Sequence, residues 1–161
     1  MTNAQEQAWG AVYRFTAMAN TRLDAALRTE SGMSLAEHEL LATLDAHGGT
    51  ARMGELAKAM VFSKSGTTRL VAKLEEHNGW VVRTLRPTDR RATWAELTPR
   101  GHQALATSRP VYQAAVAAVF GDHLPDTDLV RMAGGLEHVI GANGWSADPG
   151  TCSDSFATPG P

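Results

Sequence analysis

A single cysteine, Cys152, leaves no internal disulfide to form. That excludes a small disulfide-stapled fold and suits a reducing compartment, so a cytoplasmic location is expected. Aromatic residues are only 6% of the chain, too few for a typical all-β core. No apolar run approaches the ~20 residues that span a bilayer as a helix. The stretch from Met1 to Gly10 has no basic segment followed by an apolar one, so no secretory signal is expected. The six histidines have no tight metal spacing, and there is no Cys-x-x-Cys pair, glycine-rich phosphate loop or nucleophile elbow. No metal, cofactor or enzymatic activity is expected from such a sequence. Net charge is slight as well, −2 at neutral pH.

What the chain does have is 43% hydrophobic content over 161 residues, rich in alanine and leucine. That is enough for one helical domain with a real core. Its charge is unevenly placed. Between Lys58 and Arg91 there are eight cations (Lys58, Lys64, Arg69, Lys73, Arg83, Arg86, Arg90, Arg91) and three acids (Glu75, Glu76, Asp89). That segment is net +5 and the remainder −7, which together make the overall −2. A basic region on an acidic body is the electrostatic footprint of a nucleic-acid reader, though a plain solvated face gives the same count.

Apolar residues recur at helical spacing from about Asn3 to Glu30, through Val12, Phe15, Ala19 and Leu23. Gly32 interrupts, and Ser34 to Glu37 forms a capping box for a second helix, ended by His47-Gly48-Gly49. Arg52 to Met60 reads as a short helix. Another starts at Ser63 or Lys64 and stops near His77, before Asn78-Gly79. Trp80 to Thr84 and Ala92 to Leu97 read as two strands around a polar turn at Arg86 to Arg91. Thr98-Pro99 starts a long helix, bent near Pro110, and Pro125-Asp126 a last one, through Ile140. Residues 144–161, rich in Gly, Ser and Pro, are expected to form a flexible tail.

Two short helices with a tight break, then a hairpin, is the order of a winged helix-turn-helix, whose second helix fits a major groove. At about 100° per residue, Gly66, Thr67, Leu70, Val71 and Leu74 of that helix gather on an inward face. Ser65, Thr68, Arg69 and Ala72 point outward, with Lys64 on the flank. Small, hydroxylated and cationic residues let a helix approach bases and phosphates closely. The hairpin tip, Arg86-Pro87-Thr88-Asp89-Arg90-Arg91, is a cationic wing suited to a narrow minor groove. Asp89 is expected to pair with an arginine and fix the wing. The interface expected from the residues comprises Ser63, Lys64, Ser65, Thr67, Thr68, Arg69, Lys73, Arg86, Asp89, Arg90 and Arg91.

The stretches Thr68-Arg69-Leu70-Val71-Ala72-Lys73-Leu74-Glu75, Asp89-Arg90-Arg91-Ala92 and Leu97-Thr98-Pro99-Arg100-Gly101 resemble the MarR (multiple antibiotic resistance regulator) family. Helix order agrees over about residues 3–141. The resemblance implies a homodimer built by the first and last helices. It also implies a wing arginine, here Arg91, in the minor groove of a pseudopalindromic duplex, and usually repression. Many members of that family bind phenolic or lipophilic effectors. Others sense peroxide through a cysteine in the first helix, which this chain lacks, so thiol sensing of that kind is not expected.

The expected architecture is mainly α with a small β-hairpin wing. One domain, residues 1–143, contains a DNA-binding lobe at about 34–97 and dimerisation helices at about 3–30 and 98–141. The apolar stripes of the outer helices are too long for so small a winged core to cover, which is a physical reason for a second copy. Trp9, Tyr13, Met18, His38 and Met60 are candidate effector-pocket residues, although such side chains at helical spacing are more often core. The expected function is a sequence-specific, double-stranded DNA-binding transcription regulator responsive to a small molecule. The alternative is a winged-helix protein-interaction module that does not read DNA.

Overall fold

The computed structural model describes residues 2–60, 63–86 and 89–144, with backbone but not side chains at positions 89–91. The elements are α1 (Asn3–Ser31), α2 (Leu35–Ala46), β1 (Thr50–Arg52), α3 (Met53–Ala59), α4 (Lys64–Lys73), β2 (Val81–Arg86), β3 (Asp89–Leu97), α5 (Pro99–Val119) and α6 (Asp126–Ala142). This is the mainly helical winged architecture that the hydrophobic periodicity predicts.

Helix starts follow local chemistry. Thr2 and Gln5 cap α1 reciprocally, as Ser34 and Glu37 cap α2. Gly32, at φ 69°, ends α1 in the left-handed region that favours glycine. Three features depart from expectation. A third strand, β1, pairs with β3, giving a sheet in the order β1-β3-β2. At three residues it is too short to leave an alternation pattern. The helix expected to run to His77 does so, but its last turn, Leu74–Asn78, widens to a π-helix before Gly79 (φ 63°). Strand β3 begins at Asp89 rather than Ala92, so the wing is strand further toward its tip than the polar composition suggests. Pro87, Thr88 and the expected tail from residue 145 onward lie outside the described residues.

Two apolar clusters hold the chain. The larger joins Leu40, Leu41 and Leu44 of α2 to Leu56, Val71, Leu74, Val81, Ala95 and Leu105. The smaller packs Leu23 and Leu27 of α1 on Leu35, with Val111, Tyr112, Ala115 and Val116 of α5 against them. Helix α2 serves both clusters, so it forms the seam between the winged lobe and the long helices. His38 lies in that seam. It is buried, stacked on Tyr112 with ring centroids 4.5 Å apart, and its Nδ1 is 2.8 Å from Ser108 Oγ. No helix among the described residues is long and apolar enough to cross a membrane.

Helix α5 docks its first turn against the corner that enters β2. Thr98 Oγ1 donates to the Gly79 carbonyl (2.7 Å) and accepts the Gly101 N–H (3.1 Å). A Cβ on Gly101 would collide with the Trp80 carbonyl oxygen, a backbone atom with little room to move. Gly101→Ala is therefore expected to destabilise the fold by more than about 2 kcal/mol, read as a lower urea midpoint.

Burial, with the nearby Arg109 guanidinium, pushes the His38 imidazole down to about 4 from its ordinary 6.5. Between those values the unfolded chain binds a proton that the folded chain does not. The stability contribution is thus complete above 6.5 and is lost as pH falls toward 4. Unfolding free energy should drop by about 2 kcal/mol between pH 7.5 and pH 5 from this group. In His38→Gln that part of the drop should be absent from urea titrations at the two pH values.

Candidate nucleic-acid interface

The second helix of the pair, α4, has two chemically different sides. Thr67, Val71 and Leu74 at its end are completely buried. Ser63, Lys64, Ser65, Thr68 and Arg69 are exposed and line one shallow, open depression. Ser63 is the N-cap, its hydroxyl accepting the Gly66 N–H at 3.1 Å. Thr68 Oγ1 donates to the Lys64 carbonyl at 2.9 Å, leaving its lone pairs free to accept from a donor outside the helix. Among the described residues, neither Lys64 nor Arg69 pairs with an acid. The positive end of the helix dipole adds to their charge, so this end of α4 favours anions.

Other residues of the expected interface are placed elsewhere. Thr67 is 0% exposed and its hydroxyl donates to the Ser63 carbonyl at 3.3 Å, so it shapes the helix start and cannot reach a base. Spacing alone put it inward, and burial confirms that side of the reading. Lys73 turns to α2, where its ammonium meets Glu37 Oε1 at 2.7 Å. Arg86 lies over the Trp94 ring, 3.8 Å from its centroid, and donates to Thr50 Oγ1 (2.9 Å) and Glu96 Oε1 (3.4 Å). Arg83 is likewise held, by Glu75. The side chains of Asp89, Arg90 and Arg91 lie outside the described residues; their backbone belongs to β3, at the tip end of the wing.

The basic count of the segment is therefore divided. Lys73, Arg83 and Arg86 serve the fold, while Lys64 and Arg69 face outward. Sequence reasoning missed the partners that do this. Trp94, Glu96 and Thr50 share one side of the sheet, since Thr50 pairs with Glu96 and Arg52 with Trp94 in antiparallel register. Alternation along β3 carried that signal, but without β1 nothing showed what stood opposite. Arg52 also lies over the Trp94 ring, at 5.3 Å, so two guanidinium groups lie against the indole.

The five candidate pocket residues do not converge within one chain. Trp9 and Tyr13 are 68% and 66% exposed on α1, with ring centroids 6.3 Å apart, and Met18 is part-exposed on the same helix. His38 is buried in the seam, whereas Met60 is buried in the winged core, its sulfur accepting from Thr43 Oγ1 at 3.5 Å. The described residues contain no cluster of three or more His, Cys, Asp or Glu placed to hold a metal ion.

A short helix pair whose second member exposes polar and cationic residues, followed by a strand hairpin, defines a winged helix-turn-helix protein. The MarR family model matches residues 31–92, which span the capped start of α2 to the returning strand of the wing. The fold is shared with Sco3205 of Streptomyces coelicolor, a MarR family transcriptional regulator solved in complex with DNA. The two are 28% identical, with 89% of each chain covered and a TM-score of 0.79. AbsC, another MarR family regulator of that organism, is 26% identical over 91% of this chain and 98% of its own, with a TM-score of 0.82. The uncharacterised HTH-type transcriptional regulator YkoM of Bacillus subtilis is 28% identical over 110 residues, 65% of this chain and 70% of its own. The chain is thus similar to MarR family regulators, by the family model over its winged segment and by fold over most of its length.

Arg86 is expected to matter to wing stability rather than to phosphate contact. Arg86→Ala should lower the melting temperature while leaving the salt dependence of DNA affinity unchanged within error. A fall in the log–log salt slope of about one unit would instead make Arg86 a phosphate contact.

Proposed function

We propose that the chain is a homodimeric transcription regulator that reads double-stranded DNA, acting as a repressor in the cytoplasm rather than as an enzyme. The observation that carries this reading is the outward side of α4, where Ser63, Lys64, Ser65, Thr68 and Arg69 stand together at a positive helix end. Such a face suits a major groove, and the wing would bring Arg90 and Arg91 to the adjacent minor groove.

A second copy is supported by what a single chain leaves uncovered. Helix α6 buries none of its residues, and Val130, Val139 and Ile140 are 72%, 55% and 43% exposed. Trp9, Tyr13, Val12 and Met18 of α1 are exposed as well. Apolar surface of that extent on two long helices is what a dimer interface covers. In this reading α1, α5 and α6 are the dimerisation helices and residues 34–97 the DNA-binding lobe. Two lobes on one axis would meet half-sites of a pseudopalindrome about one helical turn apart.

The same reading includes control by a small molecule, aromatic or phenolic in character. An effector that binds one spacing of the two lobes better than another would shift the population away from the spacing that fits the operator. Trp9, Tyr13 and Met18 supply aromatic and sulfur surface near the dimer helices for such a ligand.

The test is a gel-shift titration on the upstream intergenic DNA at several salt concentrations. Lys64→Ala and Arg69→Ala should weaken binding and each flatten the log–log salt slope by about one unit. Arg91→Ala should remove most of the affinity for specific duplex. No retardation by the unaltered protein, together with co-purification of a protein partner, would favour the interaction-module alternative.

A further inference from the structure

Lys73 turns away from the outward side of α4 toward the amino terminus of α2, where several bonds meet. Its ammonium donates to Glu37 Oε1 at 2.7 Å, and Glu37 Oε2 accepts the Ser34 N–H at 2.8 Å. Glu37 N–H in turn donates to Ser34 Oγ at 3.3 Å. The adjacent N–H, that of Leu35, donates to Asp24 Oδ1 of α1 at 2.9 Å, and Asp24 Oδ2 accepts from Arg28 Nε at 2.6 Å. One helix end thus gathers bonds from α1 on one side and from the last residue of α4 on the other. The Glu37 side chain is only 6% exposed. Its burial opposes ionisation, yet the Lys73 ammonium and the Ser34 donors outweigh that and hold the carboxyl below the ordinary range.

We propose that Glu37 is a positioning residue that fixes the angle of α4 against the frame of long helices. Lys73 acts through it rather than on DNA. The inference rests on the DNA-reading function proposed above. Charge-assisted bonds are short and directional, so this pair adds an orientational restraint at one end of α4 to the apolar packing behind the helix. The lever is long: ten residues of helix span about 15 Å, so a tilt of roughly 10°, set by where the Lys73 end is held, displaces one end relative to the other by ~2.5 Å. That displacement exceeds the tolerance of a hydrogen bond to a base edge.

The bond set also predicts a pattern that neither a phosphate contact nor plain stabilisation would give. Loosening the pair leaves the outward cations Lys64 and Arg69 in place, so attraction to any duplex persists. What is lost is the fit to one sequence. Non-specific affinity and the salt slope should therefore hold while specific affinity falls.

The experiment begins with the full-length unaltered protein and a pool of random duplexes, from which it selects a preferred sequence. Affinity is then measured for that duplex and for poly(dI-dC) over a salt series, with Lys73→Met, Lys73→Arg, Glu37→Gln and the double variant Lys73→Met/Glu37→Gln. The expected result is a loss of about tenfold or more on the selected duplex for Lys73→Met and for Glu37→Gln. Poly(dI-dC) binding and the salt slope should be unchanged, and the double variant no worse than the weaker single one. Lys73→Arg, which keeps the ion pair, should retain most of the affinity. If Glu37→Gln does not fold, the contrast between Lys73→Met and Lys73→Arg carries the test.

A salt slope reduced by about one unit in Lys73→Met would make Lys73 a phosphate contact and overturn the proposal. An equal loss on both kinds of DNA, or strictly additive losses in the double variant, would overturn it too. An unaltered protein that selects no duplex sinks the DNA reading itself, whereas any of the preceding results in a protein that does select one sinks only the positioning role.

Discussion

Because Thr67, Val71 and Leu74 are fully enclosed, the direction of every outward residue of α4 is inherited from the packing behind it. A helix surface is a rigid object once one side is locked, since side chains at fixed spacing take fixed angles about the axis. Leu40, Leu41 and Leu44 of α2 belong to the enclosing core, and so do Val81 and Ala95 of the wing sheet. Helix α4 and the wing are thus seated in one apolar cluster and cannot move independently without opening it. That shared seat lets two separate elements present themselves to a single partner surface. It also places a cost on outward charge, because no acid among the described residues neutralises Lys64 or Arg69. Such charge is easiest to reconcile with a partner that is itself anionic.

Much of this organisation is legible in the sequence. The capping box Ser34 to Glu37, the stop at Gly32 and the Thr98-Pro99 start are local signals, and the helices begin and end where those residues put them. The inward side of α4 follows from the 100° rotation per residue. What was not legible is long-range. Strand β1 exists because β3 offers it an edge 40-odd residues later, and Thr-Ala-Arg carries no pattern of its own. The partners of Lys73 and Arg86 are 36 and 10 or 36 residues away, on elements whose approach only packing decides. A count of basic residues treats all cations alike, whereas the fold assigns Lys73, Arg83 and Arg86 to carboxylates or an aromatic ring. The widened last turn of the α4 helix belongs with these cases: its five residues, Leu-Glu-Glu-His-Asn, read as ordinary helix.

The candidate pocket shows the same limit from another direction. Trp9, Tyr13, Met18, His38 and Met60 share helical spacing and apolar character, which sequence periodicity cannot divide into core and surface. Packing divides them three ways. Met60 is enclosed in the larger cluster and His38 in the seam against Tyr112, while the α1 side chains stay on the outside of one chain. Any ligand site that uses Trp9 and Tyr13 must therefore be completed by something beyond this chain's own core. A dimer partner and the ligand itself both meet that requirement, and both would couple the site to the placement of the long helices.

The seam along α2 gives that coupling a physical route. Helix α2 contributes to both apolar clusters, accepts a cap from α1 through Asp24 and receives Lys73 from α4. Displacing α1 relative to the lobe would strain those bonds before it disturbed the larger core, because a few directional contacts yield sooner than many dispersed ones. Two lobes on a common axis bind one duplex with the advantage of linked sites, which is lost when geometry forbids both from engaging together. A change in spacing too small to unfold either lobe can then remove most of the affinity. The uncovered apolar length of α1 and α6 and the enclosed rear of α4 are thus parts of one arrangement. In the proposed dimer the first would set how far apart the lobes stand, and the second would let each lobe move as a unit when that distance changes.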